Sequence, residues 1–142
     1  MQCLTMAKFE TEQDLVREQK AITAFVKIFG GSFQKLSGSD IDYKVFDKDG
    51  TLIAYAEVKG RIRTMHDAYP LPISAYKLVK LADKRLSPVV IWCCEDGIIY
   101  GKVNKIFGKI MWGGRAPREN SYEDQELMVY FDKQNGFKYL RF

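Results

Sequence analysis

The stretch SDIDYKVFDKDGTLIAYAEVKGR, residues 39–61, carries the decisive pattern of this chain. Side chains alternate across a strand with period two. In its second half, Leu52, Ala54, Ala56 and Val58 therefore share one face, and Ile53, Tyr55, Glu57 and Lys59 share the other. The first face is wholly apolar, and the second is apolar until Glu57. Such a strand is covered on both sides and sits centrally in a sheet. A glutamate and a lysine at its end need partners or a purpose, because ionised groups are costly away from water.

The Asp49-Gly50 pair predicts a hairpin between 41–46 and 52–59. With a two-residue turn, Asp42 lies directly opposite Glu57, with Cβ atoms about 4.5–5.5 Å apart. With a four-residue loop, Asp40 takes that place and Asp42 becomes the diagonal neighbour. A three-residue loop without a bulge would break the parity. Asp-Gly favours the two-residue turn, and hence Asp42. Two carboxylates at this spacing repel unless a proton or a divalent cation lies between them. An all-oxygen donor set without a nearby histidine points to magnesium or manganese rather than zinc. Lys59, on the same face, is placed to orient a water or offset charge on a phosphate.

The rest of the chain bounds this reading. Its 142 residues suffice for one domain with a core, and 46% hydrophobic with 28% charged residues is ordinary for a globular protein. No apolar run reaches the roughly 20 residues of a membrane span. The first residues, MQCLTMAKFETEQ, lack the pattern of a signal peptide, so a cytoplasmic, intracellular protein is expected. Cys3, Cys93 and Cys94 read as free thiols, and one histidine, His66, is too few for a zinc site. Net charge is +4, unevenly spread. Residues 59–86 hold 7 basic against 2 acidic groups, whereas residues 1–58 hold 7 against 9. A basic field beginning beside a carboxylate cluster suits a polyanionic substrate handled through a metal.

Outward from the hairpin, residues 11–29 predict a helix with a stripe of Leu15, Ile22, Phe25, Val26 and Phe29, closed by Gly30-Gly31. Glu18 falls within that stripe, which is anomalous for an acid. Residues 33–36 predict a strand and 60–72 a loop. Ser74 predicts an N-cap for a helix to about Leu86, with Ala75, Leu78, Ala82 and Leu86 inward and Lys77, Lys80 and Lys84 outward. Residues 88–94 and 98–103 predict strands, 104–126 a loop, and 127–131 with 137–142 a closing hairpin around Asn135-Gly136. The class is α/β with a mixed sheet flanked by helices. Tyr69, Tyr76 and Trp112 read as ordinary core or surface aromatics.

This constellation resembles the PD-(D/E)XK nuclease superfamily. Its signature is an acid on one strand and (D/E)-X-K on the next, in a helix–strand–strand–strand–helix–strand core. Asp42 matches the first acid and Glu57-Val58-Lys59 the E-X-K; Ile41 stands where the leading proline would be. Glu18 matches the first-helix glutamate of many members. The nearest likeness is to Holliday junction resolvases and small phage nucleases, which share Ser37-Gly38, Tyr43 after the first acid, and Ile73-Ser74 with nearby Lys77. The resemblance spans residues 12–103 and leaves 104–142 as a strand-rich C-terminal extension of a single nuclease-like domain.

It implies a restriction-endonuclease-like fold and metal-dependent hydrolysis of DNA phosphodiester bonds, structure-selective or weakly sequence-specific, inside the host cell of a phage. Magnesium, or manganese, is then held by Asp42, Glu57, the Val58 carbonyl and Glu18, with Asp42, Glu57, Lys59 and Glu18 as the catalytic set. Arg61, Arg63 and Lys77 are expected on nucleic acid, with Asp40, Ser74 and Tyr43 as secondary members of the site. A homodimer is expected if both strands or a junction are cut. The rival reading is a non-catalytic nucleic-acid-binding or assembly module on the same fold. A small phosphoester as substrate is disfavoured by the basic excess of residues 59–86.

Overall fold

The computed structural model describes residues 12–37, 41–114 and 125–142. Helix α1 (Glu12–Lys27) opens it, with acidic Glu12 and Asp14 in its first turn, where the helix dipole favours them. Ala21, Ile22, Phe25 and Val26 are its buried residues; Leu15, expected inside, is 40% exposed because the sheet does not extend beneath the first turn. Gly30 (φ 69°) ends the helix: Gly31 N donates to Val26 O and Gly30 N to Lys27 O, the paired bonds of a left-handed cap. Gly31 has no room for a side chain, since a Cβ there would stand 2.2 Å from Phe46 O.

Strands β1 (Ser32–Lys35), β2 (Tyr43–Phe46), β3 (Leu52–Gly60), β5 (Val89–Cys93), β6 (Gly97–Lys102) and β9 (Lys138–Arg141) form one six-stranded sheet in the order β1-β2-β3-β5-β6-β9. Every neighbouring pair is antiparallel except β3–β5, which is parallel. The connection between those two carries β4 (Leu71–Ser74) and helix α2 (Ala75–Ala82). This is a mixed, mostly antiparallel α/β architecture of the restriction-endonuclease kind; an unexpected strand, β4, stands between the three strands and the second helix.

Two apolar layers flank the central strands, and the period-two reading of β3 explains them. Ala54, Ala56 and Val58 pack with Ala21, Ile22, Phe25 and Val26 of α1, together with Ile91 and Cys93. Tyr55 packs on the opposite layer with Trp92, Cys94, Leu81 and Phe131. Adjacent Cys93 and Cys94 thus lie in different layers, both as free thiols; Cys3 lies outside the described residues.

Several expectations need correction. Residues 71–72, expected to end the loop, instead open strand β4 (Leu71–Ser74); Pro72 is tolerated because β4 is an edge strand of a second sheet, ordered β4-β8-β7, with β7 at Lys109–Gly114 and β8 at Gln125–Phe131. That sheet also replaces part of the loop expected over 104–126, where a 3-10 turn, Val103–Lys105, precedes β7. The closing hairpin is absent: β8 pairs with β4 and β7, while β9 pairs with β6. The link between them crosses from one sheet to the other because Phe131 and Phe137 are drawn into one aromatic cluster with Trp92. In α2, Leu81 rather than Ala82 and Leu86 is the inward residue, and the helix ends at Ala82, four residues early. Ser74 is its N-cap, accepting from Lys77 N.

Candidate functional site

The hairpin between β2 and β3 reaches its register by a route other than the one expected. Asp47 N donates to Thr51 O at 2.9 Å, leaving a three-residue loop whose Gly50 adopts φ 83°. Asp47 Oδ1 accepts from the amides of Asp49 and Thr51, which stiffens the turn. Phe46 pairs with Leu52, but Val45 pairs with Ala54, so a bulge on β3 takes up one residue. Tyr43 then pairs with Ala56. One step further, Asp42 faces Glu57, as the two-residue turn would also have required. The bulge restored the parity that the loop alone would have lost.

Beyond Tyr43 the strand β2 has ended, and the β3 backbone there has no ladder partner on that side. Val58 N instead donates to Asp42 Oδ2 at 2.9 Å. A strand residue turns its N–H and C=O to the same neighbour, so the Val58 carbonyl faces this vacated edge beside the carboxylates.

Glu57 is only 5% exposed, the single buried charged residue of the described core. Its Oε2 lies 3.4 Å from Lys77 Nζ, reached from α2, and no donor meets its Oε1. Burial, seconded by the Asp42 carboxyl, pushes Glu57 up to about 8, against the pull of Lys77. Asp42 is likewise raised, chiefly by burial and further by Glu18, while the Val58 N–H opposes the shift. The two carboxyls are close enough to share a proton. The pair is therefore short of positive charge, which is the condition a cation relieves.

These groups line one cleft of about 900 Å³, which also takes in Glu18, Lys35, Ser37, Lys59, Ile73, Ser74 and Glu126. Glu18 accepts from the Tyr43 hydroxyl at 2.7 Å and from Lys35, so two donors already hold its Oε1 at the cleft wall. Tyr43 is fully buried and acts through that bond. Lys59 is exposed at the cleft beside buried Val58. Arg61 turns away: its guanidinium donates to Ala68 O and Pro70 O, bracing the 61–70 loop. Arg63 is exposed outside the cleft lining. Asp40 lies outside the described residues. Among those described, no three His, Cys, Asp or Glu side chains gather closely enough to make a ready metal cluster.

Among the cleft members that escaped sequence reasoning are Lys35 and Glu126. Lys35, at the end of β1, pairs across from Tyr43 and so stands beside the residue that follows Asp42. A β1–β2 register would have found it. Glu126 comes from β8, in a segment with no legible pattern.

Residues 5–139 match a family model described as "Phage putative PDDEXK endonuclease". No curated protein and no solved structure matches the chain. Among the described residues, no helix is long and apolar enough to cross a membrane.

Proposed function

We propose, because this chain belongs to the phage PDDEXK endonuclease family, that its cleft hydrolyses DNA phosphodiester bonds with a divalent cation held between Asp42 and Glu57. The observation that carries this reading is the buried Glu57 Oε1 without a donor, on a side chain that the neighbouring Asp42 carboxyl makes harder to ionise. The donor set fits a hard cation: two carboxylates, the Val58 carbonyl, and room for waters in an open cleft. Magnesium or manganese, when bound, supplies the charge that polarises the phosphate and makes water a better nucleophile.

The chain's own residues complete the chemistry. Lys59, the exposed lysine of the cleft floor, offsets charge that builds on the phosphate oxygens under attack. Water adds to phosphorus and the 3′ oxygen leaves, giving a 5′-phosphate. Lys77, 3.4 Å from Glu57, is its counter-ion here, and would be freed toward the substrate if a cation were held by the carboxylates. Glu18, tied to Lys35 and Tyr43, fixes the wall opposite and tunes Asp42 through space rather than acting as a first ligand. The whole chain is read as one nuclease domain.

The test is cleavage of plasmid, single-stranded, flapped and four-way-junction DNA in magnesium, manganese or chelator, comparing wild type with Glu57→Ala and Lys59→Ala. Cleavage that needs metal and is lost in both variants is the expected outcome. DNA binding that persists in chelator, without cleavage of any substrate, would instead establish the non-catalytic module.

A further inference from the structure

Lys35 is held in the cleft by three separate elements. It closes β1 and pairs across from Tyr43 of β2, and the ladder continues one residue further, where Leu36 N donates to Asp42 O at 2.8 Å. Its ammonium is ion-paired with Glu18 Oε1 from α1 and stands 5.0 Å from the centre of the Tyr43 ring. The hydroxyl of fully buried Tyr43 donates to the same Oε1 at 2.7 Å. Helix α1 and strands β1 and β2 thus converge on one carboxylate oxygen.

The members of this group differ in access. The Glu18 side chain is 11% exposed and that of Lys35 34%, and both line the cleft. Lys35 therefore covers a nearly buried acid while presenting its own charge to the open space. An ammonium is a threefold donor on a flexible stem. Should it turn to another anion, Glu18 keeps the Tyr43 donor, so the wall stays intact.

The position is set by the sheet. Lys35 shares the α1 face with Tyr43, and Lys59 shares the opposite face with Glu57; the cleft takes in the end of the sheet from both sides. β1 and β3 are two strands apart, on the order of 10 Å, and Asp42, just before β2, lies between them. The Lys35 charge reaches Asp42, where it opposes the upward shift of that carboxyl.

We propose that Lys35 holds the DNA phosphate next to the scissile one, and that Glu18 keeps its ammonium aimed into the cleft and competes with that phosphate for it. The proposal rests on the nuclease reading above. A strand crossing the end of the sheet meets Lys59 at the carboxylates and Lys35 one strand beyond them. Binding then exchanges one charge-assisted hydrogen bond for another. Such phosphate contacts fix the register of a nucleic acid on a protein and dominate its affinity.

The experiment measures binding of a fluorescein-labelled DNA duplex and single strand by anisotropy, in chelator and across a series of salt concentrations, with thermal melting as the control for folding. Lys35→Met is expected to weaken binding about tenfold, the scale of one hydrogen bond to a charged group, and to reduce the salt slope by about one. Lys35→Arg should keep most of the affinity. Glu18→Gln, whose amide oxygen still accepts from Tyr43, should tighten binding about two- to fivefold, the scale of a partly screened ion pair. That gain should disappear in the Lys35→Met background, because it works through Lys35. Lys102→Met makes the same change of charge on an exposed residue outside the cleft lining. It should cost less than about twofold, since a distant charge is screened.

An unchanged salt slope in Lys35→Met, or an equal loss in Lys102→Met, would overturn the phosphate contact. So would weaker binding by Glu18→Gln, because the pair would then be a brace that both partners serve alike. Metal-dependent cleavage by wild type alongside any of these results removes Lys35 and leaves the nuclease reading standing. The expected pattern in a wild type that cleaves nothing in magnesium keeps Lys35 as a DNA contact, and the nuclease reading falls.

Discussion

The two walls of the cleft are built on opposite principles. The β2–β3 wall buries its chemistry: Glu57 is nearly sealed from water, has a raised pKa, and is held in place by a parallel pairing with β5 on one side and Asp42 on the other. The β7–β8 ribbon, which gives the cleft Glu126, exposes its apolar side chains instead, with Trp112 and Ile110, outside the cleft lining, among the most accessible large apolar residues described. Burial tunes reactivity, because desolvation changes how strongly a carboxyl wants a proton or a cation.

Substituting Glu57 should produce the largest effect. Glu57→Gln is expected to reduce cleavage at least a thousandfold while leaving the melting temperature at pH 8 unchanged or higher, since a buried carboxylate that Lys77 meets at only one oxygen is removed. The pH dependence follows from the same group. A carboxyl whose folded pKa is raised from 4.5 to about 8 binds its proton more tightly in the folded state. Its stabilising contribution is present below pH 4.5 and is lost as pH rises towards 8. Wild-type melting temperature should fall over that window, and the slope should flatten in Glu57→Gln; an unchanged slope would break the assignment of the buried charge to this residue.

Lys59→Ala should come next, with cleavage reduced about a hundredfold or more by the loss of charge stabilisation at the phosphate, and almost no change in melting, because its side chain is exposed. A large loss of stability instead would mean that Lys59 belongs to the buried wall rather than the reactive surface. Lys77→Met sharpens the comparison further. With the ammonium 3.4 Å from Glu57 removed, manganese affinity measured by calorimetry at pH 8.5 should tighten about three- to tenfold, as expected for losing a competing charge at partly screened distance. Weaker metal binding would mean that Lys77 organises the site rather than competing for it. The smallest effect is predicted for Arg61→Ala. Its guanidinium holds two loop carbonyls, so stability should drop by about 1–2 kcal/mol, read by urea unfolding, with DNA affinity nearly unchanged.

Legibility differed along the same line as burial. The alternation in Ala54–Lys59 was readable because a strand covered on both faces must be apolar on both, and Glu57 stands out against that rule; Ile53, expected beside Tyr55, instead packs on the α1 layer because the bulge falls there. Glu18 was visible as an acid on an apolar stripe, although its engagement with Lys35 and Tyr43 was not. Asp42 opposite Glu57 came out by arithmetic, although the actual loop has three residues and depends on a bulge at β3 that no residue pattern announces. The second sheet was hidden for a simple reason: β4 is four residues long with a proline, and β7 carries apolar side chains on faces that nothing buries. Without a dry face, a strand has no alternation to read. The closing hairpin was misread because Asn135-Gly136 is a good local turn signal, but Phe131 and Phe137 gain more by joining Trp92 than adjacent strands would by pairing.

Sequence alone determined the α/β class, the central strand, the capped helices and the acid–acid–lysine constellation, because each follows from local periodicity or from the cost of burying charge. Tertiary structure decided the rest: which lysine pairs with Glu57, that Arg61 serves the backbone, and that Glu126 from the far end of the chain joins the cleft. Those outcomes depend on contacts between segments distant in sequence, and pairing across such distances is set by whole-core packing rather than by any one stretch of residues.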